Sequence, residues 1–260
     1  MSRPSNRVIA AFIAGLVVLC AAAALAISSG DSDADDQAIT TTTVSQPSRT
    51  TRPPQEDVEE FLVADAIGMT VDLYSEPGVV YADKPWLDNP THEGLPVVFH
   101  VLDGDVGDEY LKVRVSARPN GLTAFVKAEQ VSLRRVPNRV VVEVAARRVT
   151  VYNGDEVLLQ ETAAVGTERT PTPLGEFFVD GIVDLDYKGG AYGAMQVSVS
   201  GFSDVLTSFG GGNGQIALHG TNRPDQLGQP VSNGCIRLDN DAITALAWLA
   251  PTGTPVEIVA

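Results

Sequence analysis

Short apolar runs, several of which alternate with polar residues, recur through residues 57–136. The runs span 61–63, 71–74, 97–102, 111–115 and 122–126. Turn-forming pairs separate them: Pro77-Gly78, Asp103-Gly104 and Asn120-Gly121. Apolar and polar residues that alternate with a period of two are typical of half-buried strands. The pattern therefore predicts a small β-barrel or β-sandwich of about five short strands.

The same alternation continues through residues 137–260. Strands are predicted at 139–144, 148–152, 177–179, 196–199 and 256–259. The pair Asn153-Gly154 predicts a hairpin, because Asn and Gly tolerate the positive φ of a tight turn. The predicted fold class is therefore mainly β, a small β module followed by a β-rich domain with one or two short helices.

One helix is predicted from Asp239 or Asn240 to Ala250. Both residues are good N-cap types, and the apolar residues that follow recur with helical spacing. Pro251 and Gly253 end the helix.

The N-terminal segment is of a different kind. Residues 8–27 carry no charge and are nearly all apolar, and as a helix they reach about 30 Å, enough to span a bilayer. Basic residues precede this segment and aspartates follow it, which predicts that the rest of the chain lies outside the membrane. The sequence Ala24-Leu25-Ala26 also fits a signal-peptidase site, so residues 1–27 are either a membrane anchor or a cleaved signal. Residues 28–56 have the composition of a disordered linker.

The composition argues against one class of binding partner. The formal net charge is -15, and an acidic surface repels phosphate backbones, so nucleic acid is not expected as a partner. The hydrophobic fraction of 44% supplies enough apolar residues for a core.

Two cysteines occur in the chain, Cys20 in the apolar segment and Cys235 in the C-terminal domain. Exported cysteines usually pair as disulfides, but Cys235 has no partner within its domain. His219, sixteen positions earlier, is the only histidine of residues 137–260. Because an imidazole activates a thiol that is otherwise mostly protonated, the pair is a candidate nucleophile and base.

The residues next to the thiol support the same chemistry. Gly234 permits a tight turn, and the N–H groups of Asn233, Gly234 and Cys235 are candidate donors to a developing oxyanion. Structural roles remain open, because Ser232 and Asn233 are also common turn residues and Arg237 has Asp239 nearby as an ion-pair partner. One Cys and one His fall short of the ligands that zinc takes, so neither a metal nor another cofactor is predicted.

Two longer segments resemble a known family. The segment from His219-Gly220-Thr221 to Ser232-Asn233-Gly234-Cys235-Ile236-Arg237 resembles the signature of the L,D-transpeptidase catalytic domain (YkuD) family. Thr170-Pro171-Thr172-Pro173-Leu174-Gly175-Glu176-Phe177 is similar to a second motif of that family. Asn233 stands where the family most often has a second histidine.

The resemblance implies an activity on peptidoglycan stem peptides. Cys235 would attack a tetrapeptide stem and release D-alanine, and the amine of another stem would resolve the thioester to a 3→3 cross-link. His219 would be the base and Gly220 would orient its ring through the carbonyl. Carbapenems would acylate the same thiol.

The resemblance assigns further roles around the cleft. Ser232 would shape the pocket, and Arg237 would hold a substrate carboxylate or the loop. Residues 187–209 would form a flap with Tyr192 and Met195 as donor contacts, although packing is an alternative role for both.

In their strand pattern and in the turn Arg118-Pro119-Asn120-Gly121 before Phe125-Val126, residues 57–136 resemble the small bacterial SH3-like modules that precede such domains. The resemblance implies that they either bind wall polymer or act as a spacer. The expected location is extracytoplasmic, either membrane-anchored through the N-terminal segment or secreted to the cell wall. Two other functions stay open: hydrolysis of the thioester, and non-catalytic wall binding by a degenerate site.

Overall fold

The computed structural model describes residues 60–185 and 187–260. The predicted membrane segment and linker, residues 1–56, lie outside these residues. Over the part of the chain that is described, no helix combines the length and the apolar character that spanning a bilayer requires.

The first module is built from short strands. Within the described residues they are β1 Phe61–Ala66, β2 Thr70–Asp72, β3 Tyr74–Glu76, β4 Val79–Val80, β5 Trp86–Asp88, β6 Val98–Asp103, β7 Tyr110–Arg114, β8 Thr123–Lys127 and β9 Val131–Val136. Seven form one sheet in the order β4-β3-β8-β7-β6-β1-β9, and β2 pairs with β5. Alternation places Leu111 and Val113 of β7 in the core. The β-rich character of the module is confirmed, but the predicted number of about five strands is wrong, because the described residues of this module form nine. Its SH3-like character stays a prediction.

One predicted strand of this module is wrong. The run 71–74 divides into β2, which ends at Asp72, and β3, which begins at Tyr74. The two strands separate because β2 pairs with β5 whereas β3 pairs with β4 and β8. Between them, the Leu73 N–H donates to the Pro85 carbonyl at 2.9 Å.

A larger sheet forms the second module. Its strands are β10 Asn138–Glu143, β11 Arg148–Asn153, β12 Glu156–Thr162, β13 Val165–Gly166, β14 Gly175–Asp184, β15 Met195–Phe202, β16 Gln215–His219, β17 Pro230–Ser232, β18 Ile236–Arg237 and β19 Pro255–Val259. Eight of them lie in the order β12-β11-β10-β19-β14-β15-β16-β18, and β13 pairs with β17. The helix α1 spans Asn240–Leu249. The described chain is therefore mainly β, as predicted.

The predicted hairpin, helix and terminal strand are confirmed. Asn138 of β10 pairs with Asn153 of β11, and β11 returns antiparallel into β12 through the Asn-Gly turn. Asp239 caps α1 by accepting a hydrogen bond from the Asp241 N–H at 2.9 Å. Helix residues such as Ile243 and Leu246 are buried against the sheet. Full burial of each such side chain contributes about 1.5–3 kcal/mol.

The two modules share an apolar contact and several polar ones. Phe178 of β14 packs with Val63, Val98 and Val136 of the first module. Gly253 lies so close to Val63 that a Cβ there would overlap the valine side chain. Strand β9 ends at Val136 and β10 begins at Asn138, so a single residue joins the two sheets.

Candidate active site

The sheet brings Cys235 and His219 to the same cleft. Strand β16 ends at His219, and Cys235 immediately precedes β18, its parallel neighbour. Leu218 pairs with Ile236, so continuing the register places Cys235 beside Ala217, two residues before His219. Strand spacing and rise give a diagonal of about 8 Å between the Cα atoms, on one face of the sheet. Both side chains line one cavity of about 200 Å³.

A tight loop holds the thiol in place. Gly234 has a φ of 115°, and a Cβ there would lie 3.0 Å from the Cδ1 of Ile216. The buried Ser232 hydroxyl donates to the Cys235 carbonyl at 2.6 Å, and the Thr172 hydroxyl donates to the Gly234 carbonyl at 2.8 Å. Ser232 therefore shapes the loop from within, and glycine is the residue that fits at position 234.

The expected set of oxyanion donors needs one correction. The Gly234 N–H donates to the Ser232 hydroxyl oxygen at 3.1 Å, so it is already used within the loop. The N–H groups of Asn233 and Cys235 remain as candidates. The Asn233 side chain is exposed at the cleft wall, which leaves room there for a substrate.

His219 is buried and its ring is oriented by the backbone. Its Nδ1 lies 2.6 Å from the Gly220 carbonyl oxygen. A carbonyl can only accept, so Nδ1 carries the proton and Nε2 is left with a lone pair. Burial lowers the pKa of His219 to about 4, while the Gly220 hydrogen bond opposes this and the charge of Arg237 adds to it. The ring is thus neutral and can act as a base at neutral pH, and the Gly220 carbonyl lies where its predicted orienting role requires.

The thiol is also neutral in the unliganded cleft. Burial raises the pKa of Cys235, whereas a backbone hydrogen bond from Ala217 and the positive charge of Arg237 lower it. A thiolate–imidazolium pair is therefore not the resting state of this site, because burial disfavours both charged forms. Proton transfer from sulfur to imidazole has to accompany attack on a substrate.

Arg237 carries positive charge into the cleft. Its Nη1 donates to the Oε1 of Gln226 at 3.1 Å, and its Nε is buried without a hydrogen-bond partner. Asp239 accepts from the Asp241 N–H instead, so the alternative of an Arg237–Asp239 ion pair is wrong. A guanidinium with unused donors beside a thiol is suited to binding a carboxylate.

The two predicted donor contacts, Tyr192 and Met195, lie in different environments. Tyr192 lines the cleft, and its ring centroid lies 4.7 Å from that of His219. Burial raises the pKa of the Tyr192 hydroxyl, and the neighbouring Cys235 raises it further. Met195 instead packs against the apolar core and does not line this cavity, so the packing alternative holds for it.

The predicted flap is shorter than expected. Residues 195–202 form the strand β15, which is buried at the centre of the sheet between β14 and β16. Two loops flank it, one carrying Tyr192 and one at 203–214 that contributes Leu206 and Phe209 to the cleft. Within the described residues of the predicted flap, the segments outside β15 are the ones that remain for such a role.

Asn240, which the sequence predicts only as a possible helix cap, supports the loops around the cleft. Its Oδ1 accepts from the Ala194 N–H at 2.8 Å, and its Nδ2 donates to the Thr221 carbonyl at 3.0 Å. A Cβ at either Gly193 or Gly220 would overlap this Oδ1. Asn240 therefore joins the Tyr192 loop to the turn after His219, and the glycine pair makes the approach possible.

A metal centre is not assembled in the described part of the chain, where no three His, Cys, Asp or Glu side chains cluster as ligands. The chemistry available at the cleft is that of a thiol, a neutral imidazole, backbone donors and a guanidinium.

The second module is similar to known proteins of one family. Residues 137–258 match the L,D-transpeptidase catalytic domain family, YkuD. The putative L,D-transpeptidase YkuD of Bacillus licheniformis is 33% identical over 123 residues, which are 47% of this chain and 66% of that protein. The chain thus spans just under two thirds of that relative's length.

Two further matches are of the same kind. The putative L,D-transpeptidase YqjB of Bacillus subtilis is 33% identical over 122 residues, 46% of this chain and 69% of that protein. The crystal structure of an L,D-transpeptidase from Mycobacterium tuberculosis H37Rv is similar with a TM-score of 0.40 and 13% identity, over 63% of this chain and 90% of that chain.

Proposed function

Because the chain belongs to the L,D-transpeptidase catalytic domain (YkuD) family, we propose that it is a cysteine-dependent L,D-transpeptidase that forms 3→3 cross-links between peptidoglycan stem peptides. The observation that carries this proposal is the register of β16 and β18, which places Cys235 and His219 on one face of the sheet and in one cleft. The proposed site of action is outside the cytoplasm, with residues 1–27 as a membrane anchor or a cleaved signal.

During acylation the Cys235 thiol passes its proton to Nε2 of His219 as the sulfur attacks the substrate. The sulfur attacks the carbonyl carbon between the third and fourth stem residues, and the oxyanion is stabilised by the N–H groups of Asn233 and Cys235. His219 then returns the proton to the amine of D-alanine as the C–N bond breaks. A thioester on Cys235 remains, and the Gly220 carbonyl holds the imidazolium while it exists.

Deacylation is the reverse sequence with a different amine. The side-chain amine of a second stem attacks the thioester carbonyl and loses its proton to His219. The C–S bond breaks, an amide forms, and the proton returns to sulfur, so the enzyme is restored. Water in place of the amine gives hydrolysis.

Arg237 couples substrate binding to the base. Burial is the main cause of the lowered pKa of His219, and the positive charge of Arg237 lowers it further, which makes the ring a weaker proton acceptor. A substrate carboxylate bound to Arg237 offsets that charge and raises the proton affinity of His219. The base is therefore strengthened when a donor occupies the cleft.

The test is product analysis with purified disaccharide-tetrapeptide. The wild-type protein should yield cross-linked dimer and free D-alanine, and Cys235→Ala should yield neither. The matched variant Asn233→His, which restores the residue common in the family, should keep both products. Release of tripeptide without dimer would indicate hydrolysis. Binding to sacculi, with no product from the wild type or from Asn233→His, would indicate a wall-binding protein.

A further inference from the structure

One wall of the catalytic cleft is a loop that is held partly by its own hydrogen bonds and partly by the first module. Residues 203–214 follow β15 and contribute Ser203, Leu206, Phe209 and Gly214 to the cavity that contains Cys235. The Ser203 N–H donates to the Gly214 carbonyl at 2.8 Å and closes the base of the loop. A single isolated bridge, Phe209 with Gly212, orders its tip within the described residues.

Arg118 of the first module reaches across to this loop. Its Nη1 donates to the Ser203 carbonyl at 3.0 Å. Its Nη2 donates to the carbonyls of Leu206 and Asn213, both at 3.2 Å. Three carbonyls from the start, middle and end of the loop thus converge on one guanidinium, whose planar fork can serve them together.

The neighbouring residues strengthen the same contact. The Arg118 guanidinium carbon lies 5.2 Å from the centroid of the Phe202 ring, within cation–π distance. The Asn120 amide pairs with the backbone of Phe202, donating to its carbonyl and accepting from its N–H, both at 2.8 Å. Asn120 therefore fixes the residue at which β15 ends, just before the loop begins.

These contacts differ from ordinary packing between the modules. Arg118 is exposed and contributes nothing to the apolar core of its own module. Its hydrogen bonds go to backbone carbonyls of a cleft-lining loop and to no carboxylate. The apolar contact of Phe178 with Val63 joins the modules independently of it.

From this arrangement we propose that Arg118 is a positioning residue for the cleft, through which the first module holds the 203–214 loop in the conformation that binds the donor. The role in donor binding rests on the proposed function, whereas the ordering of the loop does not. The first module is then a working part of the active site in addition to any role as a spacer or wall binder.

Arg118→Ala is the direct perturbation, with Arg135→Ala as the matched control. Arg135 is also an exposed arginine of the first module, and its contact is an ion pair to Asp105 within that module. Because the lost hydrogen bonds have a charged donor and lie partly in solvent, kcat/KM for the donor should fall about tenfold in Arg118→Ala. Alkylation of Cys235 by iodoacetamide, which needs no organised donor site, should keep its rate or become faster.

Two further readouts separate positioning from general stability. Arg118→Lys should behave like the alanine variant, because an ammonium lacks the forked geometry, and added guanidinium should partly restore Arg118→Ala. Wild-type kcat/KM in Arg118→Ala would overturn the proposal. An equal fall of kcat/KM in Arg135→Ala would also overturn it. So would a fall of kcat/KM in Arg118→Ala that is accompanied by an equally large fall in the alkylation rate and by a lower melting temperature.

Hydrogen exchange tests the loop even if the protein has no transpeptidase activity. In the full-length protein, amides of residues 203–214 should exchange faster in Arg118→Ala and remain unchanged in Arg135→Ala. Unchanged exchange in Arg118→Ala would refute the proposed support of the loop. Faster exchange in an inactive protein would confirm that support and reject only the proposed function.

Discussion

The buried carboxyl group of Asp180 should make the stability of this protein depend on pH. Asp180 lies on β14 where the first module covers it, and its Oδ2 accepts hydrogen bonds from the hydroxyl of Ser116 and, at 2.6 Å, from the Nε2 of Gln215. Its Oδ1 is buried with no hydrogen-bond partner. Burial raises the pKa of Asp180 to about 6, while the two hydrogen bonds oppose the shift.

The sign and size follow from proton linkage. With a usual pKa of 3.8, the folded state keeps a proton between about pH 4 and pH 6 that the unfolded state has lost. The free energy of unfolding therefore falls as pH rises through this window, by about 3 kcal/mol in total, and stays lower above it.

His219 acts in the opposite direction. Its pKa is about 4 in the folded state against an ordinary value of 6.5, so the unfolded state binds the proton first as pH falls. Its contribution is about 3 kcal/mol of stability that is lost between pH 6.5 and pH 4. The two contributions nearly cancel in the wild-type protein.

Asp180→Asn should uncover the His219 contribution. Urea unfolding at a series of pH values from 4 to 7 should show that the variant gains about 3 kcal/mol relative to wild type as pH rises from 4 to 6. Val157→Ala, which changes an exposed side chain and removes no ionisable group, should run parallel to wild type. An Asp180→Asn profile that is also parallel to wild type would refute the assignment.

Three other predictions concern the cleft. Because burial raises the pKa of Cys235 and lowers that of His219 to about 4, alkylation of the thiol by iodoacetamide should keep rising above neutral pH; a plateau already reached below pH 6 would show a resting ion pair instead. Asn240→Ala should lower donor kcat/KM about tenfold by releasing two loop contacts, and steady-state kinetics that match wild type would contradict this. Gly234→Ala should lower the free energy of unfolding by about 1–3 kcal/mol because position 234 has a positive φ. Gly212→Ala should leave the melting temperature nearly unchanged, and equal melting temperatures of the two variants would reject the strain at position 234.

Local sequence signals predicted the elements that local chemistry determines. The helix α1 follows from the N-cap at Asp239 and the stop at Pro251, and the hairpin from Asn153-Gly154, because each depends on residues within one turn. The sequence also brought together Cys235 and His219, which line the same cleft, because the domain offers no other cysteine or histidine.

Contacts between distant segments were not predicted. The strand β16 was missed because only three apolar residues precede His219, too few to show a period. Arg118 and Asn240 act on carbonyls and N–H groups that lie far away in sequence, and no local pattern marks such a partner. The use of the Gly234 N–H by Ser232 likewise depends on a loop geometry that composition does not encode.

The central claim is that Cys235 becomes acylated in this cleft. Intact-mass measurement with peptide mapping, after incubation of the full-length protein with disaccharide-tetrapeptide or with a carbapenem, tests it most directly. We predict one added acyl group, located on Cys235, absent in Cys235→Ala and much slower to form in His219→Gln. An unmodified protein, or the same adduct formed at another residue or in the absence of the thiol, would contradict the account.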